Sequence, residues 1–278
     1  MGLPEPSLGS LATAAVAVLE TSDPEAKARS GIEVRRAWIA GQFDEIGKAL
    51  PPDRPARPEL PPLRPPRDVP KRKINRGTAG RIALLHAIAH IELNAIDLAF
   101  DIVARFSGES LPKAFIDDWI SVAGDECRHF LMLSERLTSL GGAYGDLPAH
   151  DGLWQAAMET AHDLAARLAV VPLVLEARGL DVTPGMIARL RAVEDDDSAD
   201  MLQIIFEEEI THVAAGKRWF DHVAGERDVD PVALWQDLVR RYFRGGIKPP
   251  FNVEARAAAG FPAAFYGSLG QNHAEYQN

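Results

Sequence analysis

The chain has 278 residues and a formal net charge of −10, from 30 basic and 40 acidic side chains, a balance that argues against broad nucleic-acid binding. Nearly half of the residues are apolar, enough for a sizeable core, and no apolar run approaches membrane-spanning length, so no membrane partner is expected. The single cysteine, Cys127, excludes an intrachain disulfide; with no basic, secretory-type start, the expected location is the cytoplasm.

Residues 7–48 read as two or three modest helices, with Ser22-Asp23-Pro24 as a break and cap. A proline-rich strap follows, to about Asn75. Between Arg54 and Arg81 it carries nine basic residues (Arg54, Arg57, Arg64, Arg67, Lys71, Arg72, Lys73, Arg76, Arg81) against Glu59 and Asp68. Such a stretch is extended and semi-rigid, and serves either as a solvated connection or as a surface for an anionic partner.

From Thr78 onward the spacing of apolar residues predicts four long helical segments, at about 79–107, 112–140, 152–179 and 195–223. Gly108, Gly141-Gly142 and Gly179 punctuate them. Pro172 inside the third should kink it, and Thr183-Pro184 should open a short extra helix before the fourth. A further helix at about 231–243, a turn-rich stretch to Asn252 and a short helical tail complete the chain. The fold class is therefore all-α.

Each long segment has a stripe of core positions that is apolar except in its middle, where an acid, or an acid and a histidine, intrudes. In chain order these are Glu92; Glu126 with His129; Glu176; and Glu209 with His212. A carboxylate buried alone is very costly and needs a positive partner, a shifted pKa or a metal ion. No lysine or arginine shares these stripes. The pattern is Glu, ExxH, Glu, ExxH, with 34 residues between the first two acids and 33 between the last two. Residues i and i+3 share a helix face, so each ExxH offers a carboxylate and an imidazole to one ion. Four carboxylates and two imidazoles neutralise two divalent cations and leave positions open for oxygen or water. Glu92 and Glu126 are centred on the turn near residue 109, as an antiparallel hairpin requires. The second pair is centred near Ala192, within the expected extra helix, a less regular hairpin.

These residues resemble the ferritin-like di-iron carboxylate superfamily, in which two helices give a Glu and two give Glu-x-x-His. Asp125-Glu126-Cys127-Arg128-His129 is similar to the DExRH form of di-iron oxygenases. The strap around Pro65-Pro66-Arg67-Asp68-Val69-Pro70 and the tail Tyr242–Asn252 look like the bacterial ferritin-like family called domain of unknown function 455. The resemblance implies a four-helix bundle over residues 78–224, preceded by N-terminal helices and the strap (1–77) and followed by a helical extension (225–278). It implies Glu92, Glu126, His129, Glu176, Glu209 and His212 as ligands of two iron ions, with manganese or a mixed pair as alternatives. Asp125 and Glu208, each just before a motif glutamate, are candidates to orient a ligating imidazole.

His86 and His90 share a helix face other than that of Glu92 and are expected at the surface or bundle edge. His162 is too far along its helix to reach the metals, and Cys127 is a packing residue. Three functions follow. The first is an oxygen-dependent oxidase or hydroxylase whose partners are dioxygen and an organic substrate. The second is ferroxidase or iron handling. The third is a metal-stabilised binding protein, with RNA meeting the strap and Arg240, Arg241, Arg244 and Lys248. A homodimer is compatible with each. All four tyrosines lie outside the ligand helices, which favours two-electron oxidation over radical storage.

Overall fold

A computed structural model describes residues 9–65, 68 and 77–271, and every regular element among them is helical, with only two isolated β-bridges. The chain forms two compact units, Met1–Trp154 and Gln155–Asn278.

The first unit holds α1 (Leu11–Leu19), α2 (Pro24–Ile39), α3 (Thr78–Phe106) and α4 (Lys113–Ser139). Local signals set the starts of the short helices. Ser10 accepts a hydrogen bond from the Thr13 amide, and Asp23 accepts one from Ala26 with Pro24 in the first turn. Helices α3 and α4 form a hairpin across the Ser107–Pro112 turn; α1 packs on α3, and α2 packs on α4. The approach of α2 is close: a Cβ on Gly31 would stand 2.9 Å from the ring of Phe100 and nearer still to Cys127 Sγ. Cys127 is thus a buried packing residue, as expected, and burial pushes its thiol pKa up.

Helix α3 is long and apolar enough to cross a membrane by length and composition, with a mean hydropathy of 1.4 over its most apolar stretch. No run of that kind was expected from the sequence. The stretch is 78% buried within the protein, so its apolar character serves the core.

The described part of the strap is largely exposed, yet it is held against its own unit at several points. Pro51, Pro55 and Pro61 are buried, and Arg54 pairs with Asp151. Arg57 binds Asp97 Oδ2 at 2.7 Å and donates to Asn94 Oδ1 at 2.8 Å, both on α3. The Trp154 indole donates to the Asp53 carbonyl, and Arg64 N to Ala149 O. Prolines cannot form a regular ladder, so irregular backbone of this kind docks through side chains and scattered amides. Among the described strap cations, Arg54 and Arg57 are thereby engaged within the protein. Pro66, Arg67, Val69, Pro70 and residues 71–76 lie outside the described residues.

Beneath the strap is a buried ion pair. Lys27 Nζ lies 2.5 Å from Asp97 Oδ1 and donates to Ala56 O at 3.0 Å, with Lys27 1% and Asp97 0% exposed. Burial lowers the Lys27 pKa against the pull of Asp97, and burial raises that of Asp97 against Arg57 and Lys27. Removing Lys27 takes from the fully buried Asp97 the cation on Oδ1 and leaves it Arg57 on Oδ2. Lys27→Met is therefore expected to cost about 3–5 kcal/mol in urea unfolding. Adding Asp97→Asn should recover part of that loss. Equal stability of Lys27→Met and the wild type would contradict the account.

The second unit holds most of α5 (Gly152–Glu159), then α6 (Leu164–Val170), a π-helical stretch (Val171–Glu176), α7 (Ala177–Arg191), α8 (Asp196–Glu226), α9 (Pro231–Tyr242), α10 (Val253–Ala258) and α11 (Ala263–Gln271). The expected single helix over 152–179 is interrupted at Thr160–Asp163, where Asp163 caps α6 through Ala165 N and pairs with Arg227. Gly179 ends nothing, and Thr183-Pro184 opens nothing: α7 runs straight through both. A proline in a helix leaves the carbonyl four residues earlier without its amide donor. Here that carbonyl, of Leu180, accepts the side-chain amide of Asn252 at 3.2 Å. A distant residue therefore keeps the helix whole, which local sequence could not show.

The C-terminal helices close over α7 and α8. Arg256 binds Asp181 through two hydrogen bonds, at 2.8 and 2.7 Å, with its guanidinium amid the rings of Phe251, Phe261 and Tyr266.

Candidate metal centre

The expected ligands of the first unit come together. Glu92 on α3 and Glu126 and His129 on α4 are all buried, at 3%, 0% and 0% exposure. His129 Nδ1 donates to Glu92 Oε2 at 3.3 Å and lies 3.5 Å from Glu126 Oε2. One donor atom from each of the three lies within 4.8 Å of the others. Nitrogen and oxygen ligands roughly 2.1 Å from a transition metal stand about 3.0–3.4 Å apart. The spacing around His129 Nδ1 is close to that, so the donor set fits a metal ion in kind and in size.

The electrostatics carry the same mark. Burial, then the charge of Glu126, push the Glu92 carboxyl well above the usual carboxylate range, against the hydrogen bond from His129. Burial alone would lower His129, but its bonds to Glu126 and Glu92 prevail and raise it. With no metal, the trio must keep protons where a cation would otherwise balance its charge.

The second unit holds a similar group. On α8, His212 is buried and its Nδ1 is 3.7 Å from Glu209 Oε2, while Glu176 ends the π-helical stretch, half-buried. The hairpin here is more regular than expected. Because α7 is continuous to Arg191 and α8 begins at Asp196, the turn lies at Ala192–Asp195, with Glu194 in the left-handed region. The centre of the Glu176–Glu209 pair falls within that turn, as the centre of the first pair falls within its own. Pro172 produces a π-helical turn rather than a simple kink, and the Ala169 carbonyl beside it accepts the indole N–H of Trp235 at 3.1 Å.

Of the two residues expected to orient an imidazole, Asp125 accepts hydrogen bonds from Arg35 at 3.4 Å and Arg128 at 3.3 Å. Glu208 is half-buried, and its backbone carbonyl accepts from Thr211. His162 is bonded to Tyr242, at 3.0 Å.

His86 and His90 are buried, not peripheral. His86 Nε2 accepts the amides of Gly145 and Leu147, and His90 Nε2 donates to the His150 carbonyl at 3.0 Å. That bond fixes the neutral tautomer, so His90 Nδ1 accepts the phenol of Tyr144 at 2.8 Å. Burial holds His90 neutral, with its pKa lowered to about 4, and raises that of Tyr144. Tyr144 also packs edge-on to Phe130, next to His129. A tyrosine outside the ligand helices in sequence thus returns beside two of them. The pair at Gly141-Gly142, which reverses the chain, was the only local signal.

The family model described as "Protein of unknown function (DUF455)" matches residues 20–267. The chain belongs to that family. It is similar to an uncharacterized protein of Haemophilus influenzae, 39% identical over 255 residues, covering 87% of this chain and 88% of the other. No solved structure gives a significant match. All six expected ligands lie inside the family-matched span.

Proposed function

We propose that this family member is a ferritin-like dimetal carboxylate protein, with iron the expected metal, acting as an oxygen-dependent oxidase or hydroxylase. In this reading residues 78–224 are the dimetal four-helix bundle, and Glu92, Glu126, His129, Glu176, Glu209 and His212 hold two ions. The observation that carries it is the buried Glu92–Glu126–His129 group, whose donor atoms have ligand spacing and whose carboxyl pKa is raised by burial and by a second acid. Two bound iron ions would supply electrons for reducing dioxygen.

The chain's own residues do the rest. Each carboxylate must lose its proton to ligate, and His129 must release the proton on Nδ1. The apolar residues beside them, Leu93, Ile96, Val122, Ala123 and Leu133, are all buried and keep water from the donors. Asp125 and Glu208 are proposed to orient the imidazoles.

The test is oxygen uptake by anaerobic protein loaded with Fe²⁺. The expected result is uptake faster than that of free Fe²⁺, abolished by Glu126→Ala, without growth of a ferric mineral. Accumulation of ferric iron far beyond two ions per chain would instead make the protein a ferroxidase. No uptake above the free-iron control would refute both. Electron paramagnetic resonance in the same experiment checks Tyr144: two-electron chemistry predicts no tyrosyl signal.

A further inference from the structure

The helical run from Leu164 to Arg191, which carries Glu176, contains two prolines, and a side chain from elsewhere in the same unit donates to a backbone carbonyl near each. Glu176 lies between them, four residues after Pro172 and eight before Pro184. On one side the Trp235 indole donates to Ala169 O at 3.1 Å. On the other the Asn252 amide donates to Leu180 O at 3.2 Å. Both donors belong to the C-terminal extension: Asn252 is directed at the carbonyl that Pro184 leaves open, and Trp235 at a carbonyl three residues before Pro172, just ahead of the π-helical stretch.

The third contact is on α8. A Cβ on Gly216 would stand 2.5 Å from Pro172 Cγ and closer to its Cβ, so only glycine lets the two helices approach here. This contact also fixes a level. The short Ala192–Asp195 turn makes the two helices antiparallel. Four residues on from Pro172 is Glu176, and four back from Gly216 is His212. Seating the proline ring on the glycine therefore sets Glu176 level with His212, while the π-helical turn adjusts the phase at which Glu176 leaves the helix.

We propose that Trp235, Asn252 and Gly216 are positioning residues for Glu176, and that holding this glutamate in register is what the C-terminal extension contributes to the metal centre. The proposal rests on the dimetal reading above.

It is tested on the full chain with Trp235→Phe, which removes the indole donor and keeps an aromatic ring, and Asn252→Ser, which keeps a helix cap for α10 and shortens the donor. Gly216→Ala is the third variant. Lys27→Met, destabilised in the other unit, serves as the control for lost stability alone. Each is titrated anaerobically with Fe²⁺, and separately with Co²⁺, whose visible absorption reports ligand geometry. The expected result is two ions bound by wild type and control, with affinity for at least one ion weakened about 10–100-fold in the variants and an altered Co²⁺ spectrum. Variants that melt lower yet match wild-type affinity and spectrum would overturn the proposal and leave the three contacts purely structural. A wild type that binds neither metal would overturn the dimetal reading itself, and the positioning role with it.

Discussion

Glu126→Ala and Glu209→Ala should each lose metal, and the pattern of loss is the most informative result. Elemental analysis of the wild type is expected to find two transition-metal ions per chain. If the two ligand groups serve one centre with shared bridging carboxylates, either variant should lose more than one ion, because removing one bridge weakens both positions. If each ExxH holds its own ion, each variant should lose one and keep the other. Full retention in both variants would sink the metal reading. The expectation for Glu126 is physical. It is 0% exposed, beside Glu92 and His129, and carries no compensating lysine or arginine on its stripe. A side chain in that setting costs stability unless a cation offsets it. Glu126→Ala is therefore expected to raise the melting temperature of the metal-free protein while reducing the further rise that added metal produces.

Metal removal itself should produce a large change in stability. An ion held at 1,000 times its dissociation constant stabilises by about 4 kcal/mol, roughly 8–16 °C in melting temperature for a chain of this size. The pH dependence follows from the two raised groups. Glu92 titrates near 4.5 when unfolded and higher when folded, so its folded form retains a proton that the unfolded chain has lost. Stability from that proton is lost as pH rises through the folded value. His129, raised above 6.5, works in the same direction: its contribution is full below 6.5 and declines as pH climbs. Metal-free protein should accordingly lose stability as pH increases from 6 to 8. Metal replaces those protons and binds more tightly as they leave. The gap in melting temperature between loaded and metal-free protein should therefore widen from pH 6 to pH 8. A gap that is absent, or that narrows with rising pH, would contradict a buried acid cluster of this kind.

The C-terminal extension gains a reason in this picture. A helix with two prolines and a π-helical turn would be a poor place for a ligand if it stood alone. Trp235 and Asn252 supply donors near the two prolines, and Arg178 ties α7 to the carbonyls of Lys248 and Pro250 just beyond Glu176. The strap acts comparably in the first unit, where Arg57 reaches Asn94 and Asp97 on the helix that carries Glu92. Both segments lack the length to form cores of their own, and both are held by specific polar contacts to a ligand-bearing helix.

What the sequence determined by itself was periodic. Apolar residues at helical spacing placed α3, α4, α8 and α9 to within a few residues, because burying one face is a local, repeating demand. Acids interrupting those faces exposed Glu92, Glu126, His129, Glu176, Glu209 and His212 as candidates, because a carboxylate on a core face is too costly to be incidental. What only the tertiary structure decided was the fate of the prolines and of the polar residues off the stripes. Pro184 reads locally as a helix start, yet the helix passes through it because Asn252, 68 residues on, satisfies the carbonyl it leaves open. His86 and His90 read as peripheral, yet the loop at 144–150 folds over them and takes up their ring nitrogens. Hydrogen bonds between residues far apart in the chain have no period, so nothing in the local pattern announces them.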